Sequence, residues 1–406
     1  MLKHVWDRHI PQVLREPALF DDAGLPRYWA TVWSMYQTSD LASSSKRKVL
    51  GHVEALYQFS ETLHGPGMLD DALFHVDIEK LGELLEAYFV SIRNLPNINE
   101  TAQLKWQAVY RFVSDIIIRL SKSNLPISQL QQIKGRLDHL GTLYSQLRIG
   151  KKRTQDILRA LPYTVVEALY ELLDPAGPRN PFRDATSRWR AFLVFVLLLH
   201  QGLRRGELLI LSSDAIKHGF DSKLGRDRYW LSVIENPYEE EDQRYSTPSI
   251  KTVNSVRQIP VSELTARIVQ DYVENYRGKP AHSFLMNSQR GSPLSAESVT
   301  KLFQKITASL PASILKDLKD RTGKCSISAH DLRHTCAVVR LNQLLHHGDS
   351  MDVALQKMRT FFGWARSSDM PRKYARAVFE DRLASVWNNV FDDRVAILRA
   401  IPGHRE

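Results

Sequence analysis

Apolar residues recur every three or four positions through two long segments near the N-terminus, 43–63 and 101–120, which is the spacing of a helix with one buried face. Serines at the start of the first segment can cap it. Clusters containing Gly or Pro at 65–67 and 95–97 interrupt the pattern and predict helix ends. We therefore expect a mostly helical unit over residues 1–147.

The pattern changes after residue 162. A long and very apolar stretch at 186–211 predicts a buried helix, and β-branched and aromatic residues at 229–234 and 257–261 predict two strands. Further helices are predicted at 165–173, 263–276, 295–309, 328–345, 351–362 and 375–390. The second unit should be mainly α-helical with a small antiparallel β-sheet.

A chain of 406 residues is longer than one typical domain, so two domains are expected. Between them we place a linker at 148–161, with the second domain at 162–406. Four basic residues crowd this linker: Arg148, Lys151, Lys152 and Arg153. Such a cluster is usually a solvated surface, and it becomes a candidate contact with DNA only through the motifs described below.

Charge narrows the class of partner. Lys and Arg number 55 against 45 Asp and Glu, a formal net charge of +10, which favours a polyanion such as nucleic acid. Two cysteines are too few for a disulfide framework. The longest apolar run, 191–199, is about half the length that spans a bilayer. These features predict a soluble cytoplasmic protein, associated with the nucleoid, that has no membrane partner.

The first candidate motif lies near the end of the buried stretch. Arg204 follows Gly202-Leu203, and Glu207 comes three residues later. An arginine after a glycine at the end of an apolar helix is also typical of an ordinary helix terminus. This motif carries little weight until it is combined with others.

The second candidate motif opens a predicted helix. His330 and Arg333 are three residues apart and therefore share one helical face, and the free N–H groups of a helix start favour a phosphate. His330 and His334 are spaced like a zinc-binding pair. We consider a metal site less favourable, because the cation of Arg333 would lie beside it.

The third motif is Gly363-Trp364, followed ten residues after the tryptophan by Tyr374. In order along the chain stand Arg204-x-x-Glu207, His330-x-x-Arg333-His334, Gly363-Trp364 and Tyr374. This ordered set, spanning roughly 162–389, resembles the tyrosine recombinase (phage integrase) family. The segment 250–260, IKTVNSVRQIP, is similar to the family's hairpin motif and places Lys251 on the family's lysine.

The sequence departs from the family pattern at three points. Trp364 replaces the more common histidine, Phe362 replaces a leucine, and Tyr374 lies ten residues past Trp364 where nine is usual. Met370-Pro371 can account for the additional residue as a loop. We keep Tyr374 as the predicted nucleophile, since no other tyrosine follows nearby.

The resemblance implies a reaction at a DNA phosphate. Arg204 and Arg333 would clamp the phosphate, and Tyr374 would attack it to form a covalent 3′-phosphotyrosine. His330 would accept the phenolic proton, and Lys251 would protonate the leaving 5′ oxygen.

The remaining motif residues would support this site. His334 and Trp364 would orient the phosphate and the tyrosine helix, and Glu207 would support Arg204. Neither a metal ion nor a nucleotide cofactor is expected, because the phosphotyrosine conserves the bond energy.

The resemblance also implies an assembly. A helical core-binding domain and the catalytic domain would form a C-shaped clamp around double-stranded DNA. A monomer or dimer when free would become a homotetramer on two synapsed DNA sites, with an accessory directionality protein as a further partner. The helix at 375–390 would either complete the core or dock on a neighbouring protomer. The natural task would be DNA integration or recombination for a mobile genetic element.

Three other functions stay open. A type IB topoisomerase or a telomere resolvase would use the same chemistry, and site-independent relaxation of supercoiled DNA would identify the topoisomerase. A non-catalytic DNA-binding regulator could use the same scaffold, although the complete residue set argues against it. A histidine-based metallohydrolase would be recognised by loss of cleavage in excess chelator.

Overall fold

The computed structural model describes residues 1–4, 17–39, 41, 43–96, 100–124, 127–145, 160–222, 225–239, 242, 244, 247–250, 253–376 and 378. Contacts divide the chain into two compact units, Met1–Gln155 and Asp156–Glu406. The division falls inside the predicted linker. The predicted site residues outside the described part are Arg148, Lys151, Lys152, Arg153 and Lys251. Most of the helix predicted at 375–390 also lies outside it.

The first unit is mainly helical. Its helices are α1 (Tyr28–Gln37), α2 (Ser43–His64), α3 (Met68–Phe74), α4 (Ile78–Arg93), α5 (Glu100–Asn124) and α6 (Ile127–Ser145). Helices α2 and α5 correspond to the two predicted segments, and they contact each other through a core that contains Leu56 and Phe112. A short antiparallel pair, β1 (Leu2–His4) with β2 (Pro17–Leu19), was not predicted by the pattern.

The second unit places helices around one small sheet. Its helices are α7 (Tyr163–Leu173), α8 (Ala185–His200), α9 (Arg205–Ile210), α10 (Glu263–Asp271), α11 (Ala296–Ala308), α12 (Ala312–Thr322), α13 (Ala329–His346) and α14 (Met351–Phe362). A π-helical turn, Tyr272–Tyr276, continues α10, and residues 370–376 are helical. Helix α12 was not predicted from the sequence.

The sheet of this unit has the strand order β3 (Ile216–Asp221), β4 (Arg226–Val233) and β5 (Arg257–Val261), all antiparallel. Buried Leu231 in the central strand pairs with Ile216 on one side and Ile259 on the other. Strands β4 and β5 are the two predicted strands. Strand β3 was not predicted, because apolar and polar residues do not alternate regularly along its sequence.

The apolar stretch predicted as one helix is two helices separated by a turn. Gly202 has φ +57°, a left-handed conformation that ends α8. A Cβ at this glycine would collide with the ring of Phe362 and would lie 3.1 Å from Cys336 Sγ. The close approach brings the end of α8 against α13 and α14, and the break makes Arg204 the residue that starts α9.

The described helices contain no segment with both the length and the apolar character needed to cross a membrane.

Substituting alanine for Gly202 should destabilise the second unit by about 2 to 4 kcal/mol, because alanine is strained at positive φ and its methyl group would displace Phe362. Urea unfolding followed by circular dichroism measures the change. Gly291→Ala is the matched control. Gly291 also has positive φ (+73°), but no described atom lies within 4 Å of its Cβ position, so strain alone should cost about 1 kcal/mol. Equal unfolding midpoints would contradict the close contact.

Candidate active site

The centre of the site is one buried carboxylate. The Glu207 side chain is 1% exposed and is carried by the first turn of α9. The Arg204 backbone N–H donates to Glu207 Oε2 at 2.9 Å, so the acid caps its own helix. Its two oxygens also accept bonds from Arg257 Nη1 and Nη2 at 3.1 and 2.9 Å, and from Arg204 Nη1 at 2.5 Å. Arg333 Nη1 lies 3.7 Å from Oε2.

Three guanidinium groups therefore share one carboxylate, and the cluster keeps a net positive charge. Burial alone would raise the pKa of Glu207, but the hydrogen bonds and charges of Arg257, Arg333 and Arg204 outweigh it and hold the pKa below its ordinary value of 4.5. Burial and neighbouring Arg204 lower the pKa of Arg333 to about 9, so Arg333 stays protonated at neutral pH. A buried excess of positive charge favours an anionic ligand.

The same three arginines meet the C-terminal end of α14. Arg257 Nε donates to the Phe361 carbonyl at 2.8 Å, Arg333 Nη2 to the Phe362 carbonyl at 2.8 Å, and Arg204 Nη2 to the Gly363 carbonyl at 3.3 Å. The last carbonyls of a helix lack intrahelical partners and carry its negative end. The arginines thus cap α14 and fix the turn that leads to Trp364.

Gly363 is required by this contact. Its φ is +60°, and a Cβ there would lie 2.9 Å from the Asn254 carbonyl oxygen and 3.0 Å from Arg257 Nη1. The absence of a side chain lets the turn after α14 lie directly against the segment that enters β5.

Two histidines stand on the first turns of α13, which opens with a capping box formed by Ser328 and Asp331. The rings of His330 and His334 lie 4.1 Å apart between centroids. Burial and the charge of Arg333 lower the pKa of His330. Burial and neighbouring His330 lower the pKa of His334 to about 3. Both imidazoles are therefore neutral at neutral pH and can accept a proton or a hydrogen bond.

The Tyr374 side chain is docked inside this cluster. It is 1% exposed, its hydroxyl oxygen lies 2.5 Å from His334 Nδ1, and its ring stacks on Trp364 at 5.2 Å. Burial raises the pKa of Tyr374 well above its ordinary value of 10.0. The phenol is therefore protonated, and its hydroxyl shares a hydrogen bond with His334 Nδ1 in which the histidine tautomer decides which atom donates.

A cleft of about 560 Å³ opens beside the cluster, between α9, α11 and the start of α13. Arg204 and His330 line it together with Ser328 and Phe303. The Arg204 side chain is 22% exposed, so it connects the buried charge to the cleft.

The structure brings together seven of the residues singled out from the sequence: Arg204, Glu207, His330, Arg333, His334, Trp364 and Tyr374. Lys251 and the four basic linker residues lie outside the described part of the chain. His334, rather than the predicted proton acceptor His330, contacts the tyrosine hydroxyl. The chemical role of each residue stays a prediction.

Sequence reasoning missed three residues of the cluster. Arg257 and Ser255 were visible only as letters of the motif around Lys251, yet Ser255 Oγ accepts from Arg204 Nη1 at 3.0 Å. Lys324 gave no signal, since it precedes the histidine motif in a polar loop. It pairs with Asp331, and its charge contributes to the lowered pKa values of both histidines.

The structure has an α-rich unit with a three-stranded sheet and a tyrosine docked beside paired arginines. This is the arrangement that the sequence motifs led us to expect. The model of the phage integrase family matches residues 159–380. The chain belongs to this family, the tyrosine recombinases.

The chain is also similar to individual proteins. It is 28% identical over 204 residues to the tyrosine recombinase XerD of Halalkalibacterium halodurans. The matched region covers 49% of this chain and 56% of that protein. The chain thus matches little more than half the length of this curated relative.

Two solved structures give weaker likenesses, each at 14% identity. XerH site-specific recombinase bound to palindromic difH substrate, a post-cleavage complex, has a TM-score of 0.46 over 87% of this chain and 84% of that chain. XerA recombinase has a TM-score of 0.34 over 88% of this chain and 97% of that chain.

Glu207→Gln should lower the free energy of unfolding at neutral pH by about 3 to 5 kcal/mol, because three guanidinium groups lose their shared negative partner. The pKa of Glu207 is lowered in the folded state, so its stabilisation is present above pH 4.5 and is lost as the pH falls through the folded value. Urea unfolding over a pH series should show the gap between wild type and variant narrowing in acid.

Asp214→Asn is the control for this prediction. The Asp214 side chain is 70% exposed and pairs with Lys217, so its loss should cost less than about 1 kcal/mol. A Glu207→Gln effect no larger than this control, or one independent of pH, would contradict the role of the buried carboxylate.

Proposed function

We propose that the protein is a site-specific DNA recombinase that cuts and rejoins DNA through a covalent 3′-phosphotyrosine at Tyr374. The observation that carries this proposal is the meeting of Arg204, Arg333 and Tyr374 in one positively charged cluster beside an open cleft. The arginines come from distant parts of the chain, and both contact the end of the same helix, α14.

The chemistry follows from the charges. In-line attack places extra negative charge on the non-bridging oxygens of a phosphate, and arginines can donate paired hydrogen bonds to those oxygens while staying protonated. A bond forms between Tyr374 Oη and phosphorus, and the bond from phosphorus to the 5′ oxygen breaks. The number of phosphoester bonds is unchanged, so religation needs no nucleotide.

Proton transfer is assigned to one histidine and one lysine. His334, with its pKa near 3, is a weak base, so its bond to the phenol positions Tyr374 rather than deprotonating it. We assign the acceptor role to His330, which lines the cleft. Lys251 is the proposed proton donor to the leaving 5′ oxygen.

The docked tyrosine must leave its buried position before it can attack. A phenol that is 1% exposed and has a raised pKa is a poor nucleophile. We infer that DNA binding shifts the helical segment 370–376 and releases the hydroxyl from His334.

The proposal also includes the partners, DNA contacts and natural task that the family resemblance implies. The partners are double-stranded DNA, three further copies of the chain across two synapsed sites, and an accessory directionality protein. The core-binding unit and the linker residues Arg148, Lys151, Lys152 and Arg153 would contact the DNA backbone. The natural task would be recombination of a mobile genetic element, so the DNA that flanks the protein's own gene is the first substrate to test.

Tyr374→Phe should bind this flanking DNA like the wild type but form no covalent adduct, because it lacks the attacking oxygen. A denaturing gel of end-labelled DNA, run without nucleotide and in excess chelator, detects the adduct. Tyr272→Phe is the matched control: Tyr272 is fully buried and its hydroxyl donates to Asn287 at 2.9 Å, so this variant also loses a buried bond but should keep the adduct.

An adduct that persists in Tyr374→Phe would refute the assignment of the nucleophile. Wild-type cleavage of arbitrary supercoiled DNA would indicate the topoisomerase alternative, and loss of wild-type cleavage in chelator would indicate a metallohydrolase. Binding without any cleavage would indicate a regulator.

Arg204→Lys should slow cleavage of bound DNA by about 100- to 1000-fold, since lysine keeps the charge but cannot make the paired hydrogen bonds. We choose Arg204 because Arg333 is 3% exposed and holds two buried carbonyls, so its loss would also affect folding. Single-turnover cleavage measures the rate.

Arg267→Lys is the control outside the cleft. The Arg267 side chain is 71% exposed and pairs with Glu263 on α10, and its variant should cleave within about threefold of wild type. Equal loss in both variants would argue that general positive charge, rather than the Arg204 clamp, drives the reaction.

A further inference from the structure

We propose that Arg257 is a positioning residue for the cleavage site: its guanidinium holds the 361–364 turn and thereby sets where Tyr374 lies relative to Arg204 and Arg333. This inference rests on the proposed function and names a third arginine with a role distinct from the clamp.

Arg257 is not placed to bind substrate. Its side chain is 4% exposed, and its N–H groups donate to acceptors within the protein. Nε donates to the Phe361 carbonyl at 2.8 Å, Nη1 to the Ser255 carbonyl at 2.7 Å and to Glu207, and Nη2 to Glu207 at 2.9 Å. A guanidinium has five N–H groups, and Arg257 makes four hydrogen bonds to protein groups. Few donors therefore remain for a phosphate.

The residue is anchored on a rigid support. Arg257 is the first residue of β5 and pairs with Val233 of the central strand β4. Val233 and the nearby Ile259 are fully buried in the core of the unit. A group that is hydrogen-bonded to the Arg257 guanidinium is therefore fixed relative to the sheet.

What it holds is the end of α14. Arg257, Arg333 and Arg204 cap the successive carbonyls of Phe361, Phe362 and Gly363. In the proposed reaction Arg204 and Arg333 must turn N–H groups toward a phosphate, which competes with their carbonyl contacts. The Arg257 bond to Phe361 has no such competitor, so it is the contact that keeps the turn in place while the clamp engages.

The turn is coupled to the nucleophile through a stack of rings. Trp364 follows Gly363 directly, and its ring lies between those of Phe362, at 4.9 Å, and Tyr374, at 5.2 Å, with interplanar angles of 13° and 14°. A displacement of the turn therefore moves the surface on which Tyr374 rests. A misplacement of about 1 Å is enough to cost about 100-fold in rate.

Arg257→Lys tests the inference, because lysine keeps the charge but cannot bridge Glu207 and the Phe361 carbonyl together. The first readout is nitration of Tyr374 by tetranitromethane in the absence of DNA, mapped by mass spectrometry. Tyr374 should become at least about fivefold more reactive as its docking loosens, while buried Tyr272 stays protected.

The second readout is cleavage of bound DNA. The rate should fall about 100-fold while DNA affinity stays within about threefold, which is the division expected when geometry rather than binding is lost. A residue with a merely structural role would not separate the two quantities in this way.

Arg244→Lys is the matched control. Arg244 forms a deeply buried ion pair that does not involve Glu207: it pairs with Asp242 at 2.5 Å, with side-chain exposures of 4% and 0%. It holds the carbonyls of Leu209 and Leu294 and makes no described contact with the 361–364 turn. Its variant should lose comparable stability, yet leave Tyr374 protected and the cleavage rate within about threefold of wild type.

The inference is overturned if Tyr374 in Arg257→Lys stays as protected as in wild type, or if Arg244→Lys exposes it equally. Should Arg257→Lys fail to fold, Gly363→Ala probes the same contact from the turn, since its Cβ would lie 3.0 Å from Arg257 Nη1. The same rise in nitration supports the inference, and unchanged nitration refutes it. Because nitration needs no DNA, it decides whether Arg257 positions Tyr374 even if the wild-type protein cleaves nothing, an outcome that would refute the proposed function alone.

Discussion

The site depends on one electrostatic constraint, namely that the carboxylate of Glu207 must stay ionised where water is excluded. An isolated carboxylate at 1% exposure would be neutralised by protonation, and the nearby guanidinium groups prevent this. The same carboxylate brings Arg204, Arg257 and Arg333 to one point, although they lie just before α9, in β5 and in α13. Removing a partner leaves buried charge uncompensated, so the arginines and the acid stabilise each other only as a set.

The arrangement uses a second source of negative potential, the C-terminal end of α14. The charge of the three arginines exceeds that of one carboxylate, and the carbonyls of residues 361–363 compensate part of the excess. The carbonyl contacts of Arg204 and Arg333 are made by neutral groups, so in the proposed reaction a phosphate diester would displace them at a modest cost, while Arg257 keeps its bond to Phe361. A site for an anion can thus remain folded without its ligand.

The sequence predicted the motifs of the candidate site better than their contacts. Arg204, His330, Arg333 and Tyr374 were found because the order and spacing of short motifs survive in the letters of the chain. The role of Arg257 was not found, since a buried arginine and a solvated one look alike in a polar segment, and only the fold puts it beside Glu207. The break at Gly202 was missed for a similar reason: apolar residues continue on both sides, and only the packing of Phe362 requires the glycine.

In the proposed reaction, the docking of Tyr374 must be strong enough to suppress attack without DNA and weak enough to be reversed. Its hydrogen bond to His334 and its stacking on Trp364 contribute about 0.5 to 1.5 kcal/mol each, and burial of the ring adds about 1.5 to 3 kcal/mol. Reversing a 99:1 preference requires about 5.5 kcal/mol of differential binding. Charge-assisted bonds to phosphate contribute about 1.5 to 3 kcal/mol each, so two or three such bonds formed only in the active arrangement would release the tyrosine. The nucleophile would then become available only where the arginines have already found a phosphate.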